Sequence, residues 1–324
     1  MQKEKVRIGV LGCANIARTS LIPAIKELNS KFDLKYVASR SKSKADEFAG
    51  LFDCKAKYSY EELVNSKDVD ALYIPLPTGL HKEWITKALN AGKHVYAEKS
   101  FANSFEDANE MISNAKSRKL GIMEGYMFLY HTQHKLVFDL IKKGKIGAIR
   151  HFSSKFGFPA LRKDNFRYDD QLGGGALLDA AGYTVKSVHF ILGNNFEVKS
   201  ATLYHDKNIG TNIFGSAFLT DSSGVGASIS FGFDNFYQCR YEIWGENGKI
   251  TAERAFTPSP TFIPLIIVET NNGKEIIEAQ ADNHFVHAME EFYTIIQNED
   301  SRKNHYSQIL LQSHSLELIR KYST

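Results

Sequence analysis

Along the first third of the chain, short apolar runs alternate with amphipathic segments. The runs contain few polar positions, which is typical of strands buried on both faces of a sheet. They predict strands at residues 6–11, 34–38, 71–74, 94–97 and 121–124. The segments between them predict four helices. The first ends near residue 28, and the others span residues 44–51, 80–90 and 105–118. Strands alternating with helices in this way predict a doubly wound parallel sheet.

From about residue 150 onward, apolar runs follow one another with few helices between them. They predict strands at residues 149–156, 196–205, 211–219, 225–233, 238–244, 249–252 and 262–269. The glycine-containing turns at 221–224 and 246–248 are typical of hairpins, so a large, open, mainly antiparallel sheet is expected. Amphipathic helices are predicted at 284–297 and 307–321.

The length of 324 residues exceeds what one hydrophobic core usually supports. We therefore expect two domains, an α/β domain over residues 1–124 and an α+β domain over residues 125–324.

Composition excludes several classes of function. The formal net charge of +3, without a block of Lys and Arg, argues against a nucleic-acid partner. The sequence contains no long apolar segment, so we expect neither a signal peptide nor a membrane span. The three cysteines are widely spaced and suit neither a disulfide framework nor a metal site, so we expect a cytoplasmic protein without a metal.

A dinucleotide-binding fingerprint follows the first strand in a modified form. The loop reads GCANIA over residues 12–17, with alanines where the second and third glycines are usual. Both alanines are small enough for the backbone to approach a pyrophosphate at the start of a helix. The sequence therefore predicts an N-terminal Rossmann domain whose cofactor contacts include Gly12, Ala14, Asn15 and Ile16.

The loop after the second strand carries positive charge where NAD-binding domains usually place an acidic residue. Ser39, Arg40 and Lys44 suit a ribose 2′-phosphate, because a doubly charged phosphate takes charge-assisted hydrogen bonds. NADP(H) is therefore the expected cofactor, and NAD is the less favoured one. A solvated basic turn would have the same composition.

Four segments together resemble one enzyme family. PLPTGLH at residues 75–81 follows the third strand, and AGKHVYAEKS at 91–100 carries the fourth strand and its end. GYMFLYHTQ at 125–133 and GGGALLDAAGY at 173–183 come later. In this order they are similar to the glucose–fructose oxidoreductase, inositol dehydrogenase and MocA (Gfo/Idh/MocA) family, and the resemblance covers essentially the whole chain.

The resemblance implies that the loops after the third and fourth strands lie at the nicotinamide. The family's Glu-Lys-Pro turn is here Glu98-Lys99-Ser100, and its lysine lies at the nicotinamide and the substrate. Only proline adopts a cis peptide bond at low cost, so we expect a trans bond or a rearranged turn at Ser100. His81 is expected to orient its own loop. The cofactor contacts expected in these two loops are Pro75, Leu76, Thr78, His81, Glu98 and Lys99.

Asp179 and Tyr183 lie four residues apart on the helix predicted after three glycines, so they project from one helix face. A carboxylate beside a phenol suits proton transfer, although a buried pair that satisfies itself would have the same spacing. By resemblance, Lys99, Asp179 and Tyr183 converge on the substrate oxygen. We assign Tyr183 as the proton donor in reduction, because a nearby lysine cation favours the phenolate. The alternative makes Lys99 the acid and leaves Tyr183 to orient the substrate.

The segment 158–168 supplies candidate substrate contacts, because it combines aromatic side chains with two arginines. Arginine binds phosphate in a bidentate manner, so Arg162 or Arg167 would contact an anionic group. A solvated loop would have the same composition. Tyr126, His131 and Gln133 are further candidates for contacts with sugar hydroxyls.

These features predict an NADP(H)-dependent oxidoreductase that moves a hydride between nicotinamide and a carbinol or carbonyl carbon of a sugar. The order of motifs between residues 158 and 179 resembles that of ketoreductases acting on nucleotide-linked deoxysugars. A free-aldose or trans-dihydrodiol dehydrogenase is the alternative among enzymes. A non-catalytic dinucleotide-binding regulator is the alternative of another class.

The resemblance also carries expectations about packing and assembly. It implies that the carboxyl-terminal helices pack back near the first domain. Because the family commonly dimerises through its open sheet, a homo-oligomer, either a dimer or a tetramer, is expected.

Overall fold

The computed structural model describes residues 4–323. Backbone contacts divide these residues into two compact units. The first contains the chain up to Gly125 together with Phe285–Ser313, and the second contains Tyr126–His284 together with the residues from His314 onward.

The first unit is built on a six-stranded parallel sheet. Its strands are β1 (Val6–Leu11), β2 (Phe32–Ala38), β3 (Lys55–Lys57), β4 (Ala71–Ile74), β5 (His94–Ala97) and β6 (Ile122–Glu124). They lie in the order β3-β2-β1-β4-β5-β6, and every paired neighbour is parallel. The order reverses at β1, and in such sheets ligands bind beyond the carboxyl ends of the strands at that reversal.

The helices of this unit lie near the predicted positions, except that the short helix at Tyr60–Val64 was not predicted. They are a π-helical turn (Ala17–Leu21) leading into α1 (Ile22–Glu27), then α2 (Lys42–Phe52), α3 (Tyr60–Val64), α4 (His81–Asn90) and α5 (Phe105–Arg118). A 3₁₀ turn, Thr78–Leu80, precedes α4. The predicted bounds of α5 are confirmed, because Ser104 caps it by accepting a hydrogen bond from the Asp107 N–H at 3.1 Å.

The second unit contains an eight-stranded sheet. Its strands are β7 (Ile149–Phe158), β8 (Glu197–His205), β9 (Asn212–Thr220), β10 (Gly226–Phe233), β11 (Gln238–Gly245), β12 (Gly248–Ala252), β13 (Leu265–Thr270) and β14 (Gly273–Glu278). They lie in the order β14-β13-β12-β11-β7-β10-β9-β8. Only β7 and β10 pair in parallel, so the predicted, mainly antiparallel sheet is confirmed.

Two helices between residues 126 and 284 belong to the same unit as this sheet. They are α6 (Gln133–Lys142) and α7 (Gly182–Leu192), and a π-helical turn (Leu177–Ala181) leads into α7. Helix α7 packs across β7 and β10. On β9 the side chains alternate between buried Ile213, Ala217 and Leu219 and exposed Phe214 and Phe218, so one face of this strand is covered and the other is open.

The last two helices are α8 (His284–Gln297) and α9 (Glu299–Tyr322). Phe292 of α8 stacks on Phe32 with ring centroids 6.4 Å apart and meets Tyr96 edge-on at 5.6 Å. The hydroxyl of Tyr306 on α9 hydrogen-bonds to the carbonyl oxygen of Leu120. These contacts make α8 and the first part of α9 members of the first unit, and the unit boundary falls inside α9.

Within residues 4–323, no helix has both the length and the apolar character that crossing a membrane requires.

Candidate active site

The loops after β1, β2 and β4 meet at Gly12. The φ angle of Gly12 is +128°, which L side chains rarely adopt, and a Cβ there would lie 3.0 Å from Leu76 Cδ2. Its N–H donates to the Ala38 carbonyl at 3.0 Å. Glycine is therefore needed at this position, and the structure brings Gly12 and Leu76 together. Ala14, Asn15 and Ile16 follow at the start of the helical segment that contains the π turn.

The basic loop after β2 leads directly into the N-terminus of α2. Ser41 caps α2 by accepting a hydrogen bond from the Lys44 N–H at 3.5 Å, and Ser39 Oγ accepts one from the Ser41 N–H at 3.1 Å. Arg40 and Lys44 are exposed. Within the described residues neither forms an ion pair with a carboxylate, whereas nearby Arg18 pairs with Glu47 at 2.7 Å. Two cations beside a helix N-terminus form a surface suited to an anion.

The Lys99 turn (residues 98–101) follows β5. Its Lys99–Ser100 peptide bond is cis, so the expectation of a trans bond was wrong. That expectation considered only the intrinsic preference of the residue, whereas hydrogen bonds hold the residues on both sides of the bond. The Tyr73 hydroxyl donates to Glu98 Oε1 at 2.7 Å, and the Phe101 N–H donates to Glu124 Oε1 at 2.8 Å.

His81, the first residue of α4, is fully buried. Its Nε2 lies 2.8 Å from the carbonyl oxygen of Leu76, so the ring contacts its own loop as the sequence indicated. Burial lowers the pKa of His81 below the ordinary value for histidine. Thr78 in the same loop is also buried. Contact of these residues with a cofactor stays a prediction.

Tyr183 lies in the first turn of α7, and its side chain is only 5% exposed. Four aromatic rings, which we term the aromatic cage, surround its ring. Centroid distances to Tyr183 are 4.6 Å for Phe156, 5.4 Å for Tyr126, 5.8 Å for Phe256 and 5.9 Å for Phe128. Its hydroxyl lies 3.9 Å from the sulfur of Met127. The phenol is thus fixed by packing from several separate elements.

Close packing of Tyr126 on α7 depends on Gly182. A Cβ at Gly182 would collide with the Tyr126 hydroxyl. Because no other residue leaves this space free, Gly182 allows Tyr126 to lie flush against the helix next to Tyr183. The ring of Tyr126 meets that of Tyr183 edge-on, with an interplanar angle of 85°.

Asp179 pairs with Arg167, one of the two candidate anion-binding arginines. Arg167 Nε donates to Asp179 Oδ2 at 2.7 Å, with the two side chains 28% and 11% exposed. The carbonyl oxygen of Arg167 also accepts from the Gly175 N–H at 2.8 Å. The loop before the glycines is therefore joined to the helical segment that carries Asp179. This partner of Asp179 was not expected from sequence.

The other candidate substrate contacts differ widely in exposure. His131 and Gln133 are buried, and His131 Nδ1 accepts from the Gln133 N–H at 3.1 Å. Gln133 Nε2 donates to the Ala255 carbonyl at 3.4 Å. Arg162 has an 87% exposed side chain and pairs with Asp164 at 3.1 Å. Arg162 is thus more accessible than Arg167, the other candidate arginine of this loop.

Sequence reasoning missed the residues that support Lys99 and Tyr183. Glu124 could have been noticed, because it is a carboxylate in an otherwise apolar strand. Phe156 and Phe256 carry no such signal, since aromatic residues in strands and loops are usually ordinary core residues. Among residues 4–323, no group of three or more His, Cys, Asp or Glu side chains is arranged to hold a metal ion.

Family models match most of the chain. One described as an oxidoreductase family with an NAD-binding Rossmann fold matches residues 6–126. Another, described as a Gfo/Idh/MocA C-terminal domain, matches residues 134–251. The fold and these two matches define an oxidoreductase with a dinucleotide-binding domain.

Similar proteins narrow this class. A dTDP-3,4-didehydro-2,6-dideoxy-α-D-glucose 3-reductase from Saccharopolyspora spinosa is 38% identical over 90% of this chain and 87% of its own length. A protein of the same name from Actinomadura kijaniata is 34% identical over 97% of this chain and 95% of its own. The chain belongs to the Gfo/Idh/MocA family, as the sequence motifs predicted.

A solved structure agrees with this assignment. The crystal structure of KijD10, a 3-ketoreductase from Actinomadura kijaniata in complex with NADP and TDP-benzene, matches with a TM-score of 0.95 and 34% identity. The match covers 99% of this chain and 98% of that one. The predicted architecture, a Rossmann domain with an α+β domain that holds a large open sheet, is confirmed.

Proposed function

We propose that this protein is an NADP(H)-dependent ketoreductase that acts on a nucleotide-linked keto-deoxysugar. The observation that carries the proposal is near full-length similarity to 3-reductases of a dTDP-linked dideoxysugar, and to a 3-ketoreductase crystallised with NADP and a TDP compound.

The residues around Gly12 and the basic loop fit NADP(H). The main chain of residues 12–16 would hold the pyrophosphate at the start of the helical segment. Ser39, Arg40 and Lys44 would bind the ribose 2′-phosphate, because Arg40 and Lys44 are exposed and have no carboxylate partner within residues 4–323. When bound, the cofactor supplies the hydride that reduces the sugar carbonyl.

A proton must reach the carbonyl oxygen as the hydride reaches the carbon, so that a ketone becomes an alcohol. We assign this proton to the Tyr183 hydroxyl, whose ring the aromatic cage holds in one position. Lys99 stabilises the charge that develops on the oxygen, and Asp179 keeps its place through Arg167. In the alternative arrangement Lys99 donates the proton and Tyr183 only orients the sugar.

The diphosphate of the substrate needs a cationic side chain that is exposed enough for the substrate to reach it. Arg162 is 87% exposed, and its partner Asp164 is 71% exposed, so exchange of that pair for a diphosphate costs little. Arg167 is engaged with Asp179 and is better placed to hold the loop than to bind the substrate. We therefore favour Arg162 for the diphosphate.

The decisive experiment is a substrate panel assayed by loss of NADPH absorbance. It compares a dTDP-linked 3-keto-2,6-dideoxysugar with free keto sugars, aldoses and dihydrodiols. We expect turnover with the nucleotide-linked sugar, and tighter binding of NADPH than of NADH. Turnover confined to free aldoses or diols would favour the alternative dehydrogenase, and no turnover with any substrate would favour a non-catalytic regulator.

The cofactor part of the proposal has its own variant. Arg40→Ala should weaken NADPH binding about 10- to 100-fold, because a hydrogen bond to a charged group contributes roughly 1.5–3 kcal/mol. NADH binding should change little. Equal loss for both cofactors would contradict the assignment of Arg40 to the 2′-phosphate.

We further propose that the protein forms homo-oligomers through the open face of the eight-stranded sheet. That face exposes aromatic side chains on three strands, namely Tyr204, Phe214, Phe218 and Trp244. Aromatic side chains exposed on one face are typical of protein interfaces. Sedimentation of the purified protein should give a dimer or a tetramer, and a Phe218→Lys variant should shift it toward the monomer. A monomer at micromolar concentration would contradict this.

A further inference from the structure

His81 touches two separate loops at the carboxyl edge of the parallel sheet. Its Nε2 lies 2.8 Å from the carbonyl oxygen of Leu76, in the loop after β4. Its Nδ1 lies 2.9 Å from the carbonyl oxygen of Ser100 and 3.2 Å from that of Phe101, in the Lys99 turn after β5. One buried ring thus bridges its own loop and a second loop, whose contacting residues lie 19 and 20 positions after His81 in the sequence.

The chemistry of these contacts is asymmetric. All three partners are carbonyl oxygens, which accept hydrogen bonds and cannot donate them. Burial disfavours the charged imidazolium, and a neutral imidazole carries only one N–H. The ring therefore donates either to Leu76 or to the Ser100 and Phe101 pair. A proton on Nδ1 can be donated to two carbonyl oxygens, those of Ser100 and Phe101. A proton on Nε2 can be donated only to that of Leu76.

Other hydrogen bonds hold the residues next to Lys99 on both sides. Before Lys99, Glu98 is held by the Tyr73 hydroxyl at 2.7 Å, and its N–H donates to the Ile74 carbonyl at 3.1 Å. After Lys99, the Phe101 N–H donates to Glu124 at 2.8 Å. The carbonyl oxygens of Ser100 and Phe101 face the His81 ring, so His81 adds support on the side after the lysine.

We propose that His81 is a positioning residue that fixes the main chain of Lys99 by donating from Nδ1 to the carbonyl oxygens of Ser100 and Phe101. The proposal rests on the proposed function, because it assumes that the placement of Lys99 matters for reduction. In this proposal His81 is fully buried and does not need to touch the cofactor. It controls the position of Lys99, which is proposed to act at the reacting oxygen.

Two amide substitutions separate the roles of the two ring nitrogens. The amide nitrogen of Asn occupies nearly the position of Nδ1, and that of Gln nearly the position of Nε2. His81→Asn therefore keeps a donor toward the Lys99 turn and loses the contact with Leu76. His81→Gln keeps a donor toward Leu76 and loses the contact with the turn. His94→Gln, at the other end of β5, is the matched control, because its ring also bonds to main chain, accepting from the Gly121 N–H at 2.7 Å.

We expect His81→Gln to lower kcat about tenfold or more, since small misplacement of a reacting group is costly, while KM for NADPH stays within about twofold. His81→Asn should keep kcat within about threefold of the parent enzyme, and so should His94→Gln. In a Lys99→Ala background, His81→Gln should cause no further loss of kcat, because it acts through Lys99. Equal losses in the Asn and Gln variants, or full additivity with Lys99→Ala, would overturn the proposal.

Crystal structures of the two variants test the same claim without relying on turnover. The Lys99 main chain should move in His81→Gln and stay in place in His81→Asn. If neither variant moves it, His81 does not position the turn, whatever the substrate. If the turn moves as expected but Lys99→Ala keeps full activity, the proposed function of Lys99 fails and the positioning role stands.

Discussion

The Lys99 turn and the helical turn that carries Tyr183 are held by different kinds of contact. Around Lys99, directional hydrogen bonds with Tyr73, His81 and Glu124 hold its neighbours. Around Tyr183, four aromatic rings fix the phenol by shape, with the nearest centroid, that of Phe156, at 4.6 Å. The hydrogen bonds hold the main chain around Lys99, whereas the aromatic rings hold the side chain of Tyr183.

This difference teaches what each region tolerates. A lost hydrogen-bond partner leaves a buried polar group unsatisfied, so the Lys99 turn depends on the exact donor or acceptor present. A lost aromatic ring leaves a cavity, so the cage depends on volume. Removing only the hydroxyl of Tyr183 should therefore leave the cage intact, while removing a ring should not.

The largest effect is expected from the smallest change in the cage. Tyr183→Phe should lower kcat about 100- to 10,000-fold, the range for loss of a general acid, with NADPH affinity nearly unchanged. Steady-state kinetics and cofactor titration measure both quantities. Tyr322→Phe is the control, because Tyr322 is 42% exposed near the end of α9. Near-normal turnover in Tyr183→Phe would favour Lys99 as the acid.

A second change tests the cage as a structure. Phe156→Ala should lower the free energy of unfolding by about 3–5 kcal/mol, because truncating a buried phenylalanine leaves a cavity. Turnover should fall as well, since Tyr183 loses its nearest ring. Denaturant unfolding of the variant gives the first value. Phe236→Ala, at an 86% exposed position, should change stability by no more than about 0.5 kcal/mol. A cost of the same size for both would mean that no packed cage exists.

The third test measures how the stability of the protein depends on pH through His134, which packs next to the aromatic cage. Burial, with smaller contributions from His131 and His284, lowers the pKa of His134 to about 3. Its ring packs on Phe128 of the cage at 5.7 Å. An unfolded histidine has a pKa near 6.5, so between these values the unfolded chain binds a proton that the native state does not. Stability must therefore fall as pH falls.

The expected loss from His134 between pH 7 and pH 5 is on the order of 2 kcal/mol. Denaturant unfolding at both pH values measures it. His134→Asn should flatten this dependence, because the amide does not titrate and can still contact the Tyr241 hydroxyl, 2.8 Å from Nδ1 in the parent. The same substitution at exposed His205 should leave the slope unchanged. An unaltered slope in His134→Asn would show that His134 is not the group responsible.

Much of the fold could be predicted because its signals are local. The runs at Val6–Leu11, Ala71–Ile74 and His94–Ala97 are mostly apolar, and the structure confirms their bounds. The strands β3 and β14 were missed for the opposite reason. One has three residues and the other is almost entirely exposed, so neither shows apolar periodicity.

The candidate site was predictable only in part, because motifs identify residues and not their partners. The sequence pointed to Lys99, Asp179 and Tyr183, whose catalytic roles stay predictions. The contact between Arg167 and Asp179 spans 12 positions, and that between Tyr183 and Phe256 spans a loop and several strands. The peptide bond before Ser100 is cis, although a residue other than proline normally follows a trans bond. Such contacts arise from tertiary structure, which local patterns do not encode.

The unit boundary inside α9 has a consequence for the order in which the protein matures. Phe292 packs on Phe32 and Tyr96, and Tyr306 bonds to Leu120, so the first unit needs residues from both ends of the chain. During synthesis from the amino terminus, its sheet leaves the ribosome early but lacks these partners until residues 285–313 have been made. The first unit is therefore completed only after residues 126–284 of the second unit have been made. An amino-terminal fragment that ends at Gly125 would expose the apolar surface that α8 and α9 normally cover.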